Sequence, residues 1–197
     1  CVAYKIASPE INHIPLIEKI AKLKKPIIFS TGLANEGEIK KAIKIITKYG
    51  NKKIIILKCS SSYPATAEDS NLKNIINLNK KFKYPVGLSD HTIGNAAAIS
   101  AVSLGACMVE KHFNLNDKKK TIDSFFSSSN IEFKNMIKDI RFTEKALGKY
   151  NYELSKGSIA NLKSKRSIYI SKNIEKGAVI SRENVKIVRP SLGLHPK

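Results

Sequence analysis

The sequence contains no tryptophan, only three cysteines and no apolar run long enough to cross a membrane. Cys1, Cys59 and Cys107 are odd in number, widely spaced and embedded in apolar segments. That pattern argues against a disulfide framework or a zinc site built on cysteine pairs, and it favours reduced thiols in a cytoplasm. A membrane-spanning helix needs about 18 consecutive apolar residues. We therefore predict a cytoplasmic protein without a membrane partner.

Acidic residues and arginine are also scarce. The chain has 35 lysines and arginines against 16 acidic residues, which gives a net charge of +19, yet only positions 141, 166, 182 and 189 are arginine. A nucleic-acid surface usually recruits arginine for its planar donor fork. Here the lysines recur on the polar faces of helical patterns. We predict no nucleic-acid partner, and an anionic small substrate fits the charge; a basic binding module is an alternative.

Five short apolar runs read as buried parallel strands, and each is followed by a helical pattern. Such alternation predicts a parallel α/β sheet with right-handed crossovers. The predicted strands are residues 2–7, 26–29, 53–57, 84–88 and 107–109. The first residues, Cys-Val-Ala-Tyr-Lys, are neither a signal peptide nor a start methionine. The chain is therefore expected to begin inside a domain.

Two architectures fit this pattern, a doubly wound sheet and a (β/α)8 barrel. Polar residues follow every strand, which is where a barrel builds its active site, whereas a doubly wound sheet concentrates them at one switch point. No glycine-rich phosphate loop is present. We therefore predict a partial (β/α)8 TIM barrel in residues 1–148, comprising about its last five βα units. A complete five-stranded sheet is the alternative.

The sequence changes in character after Gly148. Residues 149–165 are polar and without periodicity, as is typical of a linker. Short apolar runs at 166–170, 178–180 and 185–188 then surround a tight turn. We predict that residues 166–197 are the truncated start of a small, β-rich second domain.

Two histidines give the sharpest functional signal. His91 and His112 are 21 residues apart in sequence, at the ends of adjacent predicted strands. Neighbouring strands lie about 4.8 Å apart, so both imidazoles can reach one divalent ion at about 2.1 Å each. Because no cysteine pair accompanies them, we predict an exchangeable Mn²⁺ or Mg²⁺ rather than a structural zinc.

A second group of residues combines a lysine with hydroxyls at successive strand ends, which suits a phosphate or carboxylate. Its members are Lys5, Ser8, Ser30, Ser61 and Ser89. An alternative function for the same barrel is a Schiff-base aldolase, with Lys5 or Lys111 as the nucleophile.

Four further residues are weaker candidates. Glu10 and Asp123 can serve as acid/base or hydroxyl-binding carboxylates, and Tyr63 can stack on a sugar or hydrogen-bond to it. Arg189 lies far along the chain, where an exposed loop arginine is the default interpretation.

The motifs at these positions resemble the sialic acid synthase family along essentially the whole chain. The pair Ser-Asp-His-Thr and Glu-Lys-His-Phe, with histidines 21 positions apart, is highly specific. The matching stretches are residues 5–10, 30–32, 58–64, 87–92, 110–113, 176–180 and 189–197. The resemblance implies a (β/α)8 barrel followed by an antifreeze-like (SAF) domain, which in the family caps the partner's site in a swapped homodimer.

By position, the resemblance also implies a role for each candidate residue in condensing phosphoenolpyruvate with an acetamido sugar. His91 and His112 would bind the metal, Glu10 would transfer protons, and Arg189 would reach into the neighbouring subunit's site. Lys5 and the four serines (Ser8, Ser30, Ser61 and Ser89) would hold phosphoenolpyruvate, while Tyr63 and Asp123 would contact the sugar.

Ser61 bears on the choice of sugar. Sialic acid synthases proper tend to carry asparagine at this position, so serine favours a pseudaminic-type substrate, 2,4-diacetamido-2,4,6-trideoxy-altrose. The family's upstream strands carry a further lysine and a glutamine at the site and are absent here. This chain alone is therefore expected to be inactive.

Overall fold

A computed structural model describes residues 1–115 and 121–196. The chain divides into two compact units, Cys1–Gly148 and Lys149–Lys197. No helix within the described residues is long and apolar enough to cross a bilayer. All three cysteines are free thiols.

The first unit is built on one parallel sheet whose strands follow their order in the sequence, β1 to β5. They are β1 (Tyr4–Ile6), β2 (Ile27–Ser30), β3 (Ile54–Lys58), β4 (Val86–Asp90) and β5 (Val109–Lys111). A doubly wound sheet reverses its strand order at a switch point, and this sheet has no reversal. The predicted partial barrel is confirmed, and the doubly wound alternative is wrong.

In the described part of this unit, six helices accompany the strands. They are α1 (Ile14–Lys22), α2 (Glu36–Lys48), α3 (Ala67–Ser70), α4 (Asn74–Phe82), α5 (Ala96–Ser103) and α6 (Asn130–Leu147), and a 3-10 turn spans Ser8–Asn12. Both longer helices, α2 and α6, begin with a capping box, Asn35 with Glu38 and Ser129 with Glu132. Such reciprocal bonds satisfy backbone donors that a helix N-terminus leaves free.

The core lies between the sheet and the helices, because alternate strand residues point to one face. On that face β-branched side chains of β2 and β3 pack against isoleucines of α1, α2 and α4. Its fully buried members include Ile17, Ile27, Ile46, Ile56 and Ile75. Each contributes about 1.5–3 kcal/mol to stability by burial. By the same alternation the opposite face carries Ile28, Ile55 and Leu57 as well as the polar residue Ser30.

The strands β2 to β5 begin and end one or two residues later than predicted, whereas β1 is shorter than the predicted run of 2–7. The runs at 84–88 and 107–109 were expected to end in front of their polar residues, but β4 extends to Asp90 and β5 to Lys111. A prediction from hydropathy ends a strand at its first charged residue. Here Asp90 and Lys111 are register partners and bond to each other, so the ladder continues through them. The helix α3 was not predicted; its N-cap Thr66 accepts a bond from Asp69 N.

The second unit contains an antiparallel pair, β6 (Ser167–Ile170) and β7 (Val185–Val188). The strand predicted at 178–180 is absent, since those residues adopt no regular structure after a turn at Gly177. The segment 149–165, predicted as a linker, contains α7 (Lys156–Ala160), which begins because Ser155 caps Ser158 N, and a 3-10 turn at Leu162–Ser164. That this unit begins an antifreeze-like domain stays a prediction.

Candidate active site

The register of β4 and β5 brings the polar ends of these strands together. Ser89 lies opposite Glu110, and Asp90 lies opposite Lys111. Because side chains alternate between faces, His91 and His112 follow Ser89 and Glu110 on the face that looks away from the helices. His91, Glu110 and His112, with Lys111, line a cavity of about 250 Å³.

The two histidines meet as the sequence predicted. Their ring centroids are 5.2 Å apart, with the ring planes at 62°. Tyr63 packs against both, at 4.2 Å from His91 and 5.9 Å from His112, and Phe126 lies 4.9 Å from His112. Three elements therefore hold the pair: the strand ends, the loop after β3 and the segment before α6.

The environment of His112 favours its neutral form. Burial lowers the pKa of His112, and the neighbouring His91 lowers it further, while the Asp123 and Glu110 carboxylates partly oppose these effects. The His112 Nδ1 atom lies 3.6 Å from Asp123 Oδ2. A neutral imidazole has the free lone pair that the predicted metal role would require.

The spacing of the rings fits one shared cation. An ion about 2.1 Å from a nitrogen of each ring lies about 3.2 Å from each ring centroid, so centroids 5.2 Å apart can share it. Among the described residues no group of three or more His, Cys, Asp or Glu side chains is arranged to hold an ion. That His91 and His112 bind a metal stays a prediction, and two such donors would suit an open site more than a closed structural one.

Lys5, Ser89 and Glu110 form a polar group on the same face. Lys5 Nζ lies 3.3 Å from Glu110 Oε1, and Ser89 Oγ donates to the same oxygen at 2.7 Å. The Lys5 side chain is 30% exposed, whereas Ser89 is buried. The accessible Lys5 ammonium is a donor that an incoming anion can use, whereas the single Ser89 hydroxyl proton is already donated to Glu110.

Ser8 and Ser61 meet around Cys59. Gly32 N donates to Ser8 Oγ at 3.0 Å, Ser61 N donates to Cys59 Sγ at 3.3 Å, and Cys59 Sγ lies 3.8 Å from His91 Nδ1. Burial by itself would raise the pKa of Cys59, but hydrogen bonds with His91, Ser61 and Ser8 outweigh it and lower the pKa to about 6. This thiol is therefore a polar component of the site and not the inert apolar residue that its sequence context suggested.

Ser30 carries a hydroxyl without a partner. It ends β2, is 2% exposed, and its Oγ is one of two buried side-chain polar atoms in the described residues that have no hydrogen-bond partner. Leaving such a group unpaired costs about 1–3 kcal/mol. A ligand oxygen would remove that cost, which is an independent reason to place substrate here.

The remaining predicted residues differ in their positions, and of these Tyr63 and Asp123 lie against the histidines. Glu10 lies in the 3-10 turn after β1 and is half-buried, while Tyr63 and Asp123 are more exposed. Burial raises the pKa of Tyr63, and the charges of Cys59, Asp123 and Glu110 add to this, so its hydroxyl stays protonated. Arg189 follows β7 in the second unit, and its role stays a prediction.

Three residues of the site were not singled out in advance: Cys59, Glu110 and Phe126. Glu110 could have been found from alternation, because it lies two positions before His112 on the same face. Phe126 reaches the histidines because its loop folds back to β5, where Ser128 N donates to His112 O at 2.8 Å. No local sequence pattern predicts this contact.

The structure also bears on the Schiff-base alternative. Lys111 Nζ lies 2.7 Å from Asp90 Oδ2, and only 1% of each side chain is exposed. A Schiff-base lysine needs a free, accessible amine, and a buried ammonium in an ion pair is neither. This excludes Lys111 as that nucleophile.

Gly32 provides a first test of the site. A Cβ there would lie 2.1 Å from Ser61 Oγ and 2.9 Å from Ser61 Cβ. We expect Gly32→Ala to displace the Ser61 loop and to raise the KM for an anionic substrate at least about tenfold, with a loss of about 1–3 kcal/mol in stability. Steady-state kinetics and chemical denaturation of the full-length protein check this. Gly105→Ala is the control for adding a methyl group, because its Cβ would meet no atom within 4 Å; it costs stability through its positive φ but should leave KM unchanged.

Comparisons with known proteins show the family of the chain. The NeuB family model matches residues 1–152. The chain is 48% identical over 196 residues to the pseudaminic acid synthase of Campylobacter jejuni subsp. jejuni serotype O:23/36, covering 100% of this chain and 57% of that protein. It is 43% identical over 198 residues to the pseudaminic acid synthase of Helicobacter pylori, covering 100% of this chain and 58% of that one.

A solved structure extends the likeness to the fold. The N-acetylneuraminic acid (sialic acid) synthetase of Leptospira borgpetersenii serovar Hardjo-bovis, in complex with citrate, superposes with a TM-score of 0.74 at 32% identity, over 82% of this chain and 56% of that one. The chain thus spans little more than half the length of the relatives it matches. With the family model matched across the barrel unit and relatives this similar along its whole length, the chain belongs to the NeuB family of sialic acid synthases.

Proposed function

We propose that the full-length protein is a pseudaminic acid synthase, a transferase that condenses phosphoenolpyruvate with 2,4-diacetamido-2,4,6-trideoxy-altrose to give a nonulosonic acid and phosphate. The observation that carries this proposal is the approach of the His91 and His112 rings to 5.2 Å, beside the Lys5 and Ser89 donors. The 48% identity with a pseudaminic acid synthase supports the substrate class. An N-acetylneuraminate or legionaminic acid synthase is the alternative within the same chemistry.

In this proposal Lys5 binds the phosphoenolpyruvate anion together with serine hydroxyls at the strand ends. The lysine supplies a positive charge, and the unpartnered Ser30 hydroxyl supplies a donor that need not break an existing bond. Three further serines at neighbouring strand ends complete this anion-binding group, which we call the strand-end cradle: Ser8, Ser61 and Ser89. Fixed donors of this kind stabilise charge without reorganising during the reaction.

His91 and His112 would hold Mn²⁺ or Mg²⁺, which when bound supplies Lewis-acid polarisation of the sugar's aldehyde oxygen. Tyr63 and Asp123 contact the sugar and orient its aldehyde carbon towards C3 of phosphoenolpyruvate. Glu10 carries a proton during the addition. A carbon–carbon bond forms between these two carbons, water adds at C2, and the C2–O bond breaks as phosphate leaves.

The second unit and the oligomer are part of the same proposal. Residues 166–197 would begin an antifreeze-like domain that caps the partner subunit's barrel in a swapped homodimer. Arg189 would then enter the neighbouring site and meet the sugar substrate. A small anionic substrate and this basic protein are electrostatically matched.

Product analysis tests the proposal directly. The full-length protein is incubated with Mn²⁺, phosphoenolpyruvate and a panel of acetamido sugars, and phosphate release and product mass are measured. We expect the altrose derivative to give the highest kcat/KM. Preference for N-acetylmannosamine would identify an N-acetylneuraminate synthase instead. Phosphoenolpyruvate labelled with oxygen-18 at the bridging position should yield labelled phosphate, whereas condensation of pyruvate without phosphate release would contradict the synthase chemistry.

A further inference from the structure

A buried ion pair lies directly before the two histidines in sequence. Asp90 precedes His91, Lys111 precedes His112, and Lys111 Nζ bonds to Asp90 Oδ2 at 2.7 Å. Only 1% of either side chain is exposed. By strand alternation both side chains belong to the face opposite the histidines. Lys111 borders the cavity beside the histidines, but its side chain is only 1% exposed.

Thr92, the residue after His91 in the sequence, completes this network. Its backbone N–H and its hydroxyl both donate to Asp90 Oδ1, at 2.9 and 2.8 Å, and its carbonyl accepts from Lys111 Nζ at 2.6 Å. The Asp90 carboxylate thus accepts three bonds, and the Lys111 ammonium donates two. The residues on both sides of His91 are fixed to the residue before His112.

The position of this network suggests what it does. Asp90 and Lys111 are the last register pair of β4 and β5, and both histidines lie one residue beyond, where the ladder no longer sets the separation of the chains. Two backbone hydrogen bonds fix the histidines to other segments of the chain, one from Ala65 N to His91 O and one from Ser128 N to His112 O. The Asp90–Lys111 ion pair links the two strands directly before the histidines.

A buried ion pair is a poor choice for stability alone. Removing two charges from water costs about as much as their attraction returns, and apolar side chains of similar volume often do better. Groups that orient the residues bound to a metal, in contrast, affect its affinity even though they do not touch it.

We propose that Asp90, Lys111 and Thr92 form a positioning network that sets the His91–His112 separation for a divalent cation. This rests on the proposed function, since it presupposes that the two histidines bind the metal. The residues touch neither metal nor substrate, and they act only through the backbone that carries the two rings.

The test separates positioning from folding with an apolar replacement of the pair. In metal-free, full-length protein, the Mn²⁺ affinity is measured by isothermal titration calorimetry and stability by thermal denaturation. Asp90→Leu/Lys111→Met removes both charges together and should keep a thermal midpoint near wild type, yet bind Mn²⁺ about 10–100-fold more weakly. Glu36→Gln is the control, because Glu36 forms an exposed ion pair with Lys81, and it should bind Mn²⁺ as the wild type does.

The outcomes distinguish this inference from the proposed function. A folded double variant with wild-type Mn²⁺ affinity overturns the positioning role and leaves the metal centre intact. Failure of the wild type itself to bind Mn²⁺ overturns the metal centre and this inference with it. Should the double variant not fold, Thr92→Val decides: it removes one hydroxyl bond and strands no charge, and a severalfold weaker affinity supports the network while an unchanged affinity overturns it.

Discussion

Replacing His112 with alanine in the full-length protein should lower turnover about a thousandfold and abolish tight Mn²⁺ binding. The His112 ring is 5.2 Å from that of His91, and burial lowers the pKa of His112, so its neutral form, with the free lone pair that the proposed metal role requires, is favoured. Removing one preorganised electrostatic element from an active site typically costs about 10²–10³-fold in rate. Loss of the ion would add to that, because one imidazole remains. Steady-state kinetics with added Mn²⁺, together with calorimetric titration, measure both effects.

The matched control is His13→Ala. His13 is exposed, precedes α1 and lies outside the group around His91, so its replacement should leave kinetics and Mn²⁺ affinity unchanged. A His112→Ala protein with near wild-type turnover would refute the metal role. Wild-type activity that persists in excess EDTA would refute it as well.

The histidine pair was predictable because a parallel sheet with sequential order converts sequence position into spatial position. Once His91 and His112 are each placed at a strand end, adjacency of β4 and β5 brings them within one strand spacing. The same logic predicted Ser89 at the site. It assigned no role to Glu110, because the predicted strand ended at residue 109 and β5 continues through Glu110 to Lys111.

Other features could not be predicted because they depend on tertiary contacts. Cys59 looks apolar in sequence, and its thiol becomes polar only through His91, Ser61 and Ser8. Phe126 reaches the histidines through a loop that returns to β5. The helix α7 inside the predicted linker depends on one serine cap, a signal too short for periodicity to detect.

Replacing Lys5 with methionine should reduce kcat/KM for phosphoenolpyruvate about 100-fold or more. Lys5 Nζ lies 3.3 Å from Glu110 Oε1. In the proposed complex it would pair with the substrate anion instead, and losing one partner of a charge-assisted bond in a partly desolvated site costs about 2–5 kcal/mol. Methionine keeps most of the side-chain volume, so packing around β1 should be retained. The change should appear mainly in KM for phosphoenolpyruvate, because ground-state and transition-state binding lose the same contact.

The control addresses the high net charge of +19. Were the general positive field responsible for binding the anion, any lysine would matter about equally. Salt screens exposed charges beyond about 8 Å at physiological ionic strength, so a local lysine should dominate. Lys41→Met removes an exposed charge on α2 and should leave the KM for phosphoenolpyruvate unchanged at that salt. Equal losses in the two variants would show that long-range attraction, and not a placed ammonium, binds the substrate, and the strand-end cradle would then have to be abandoned.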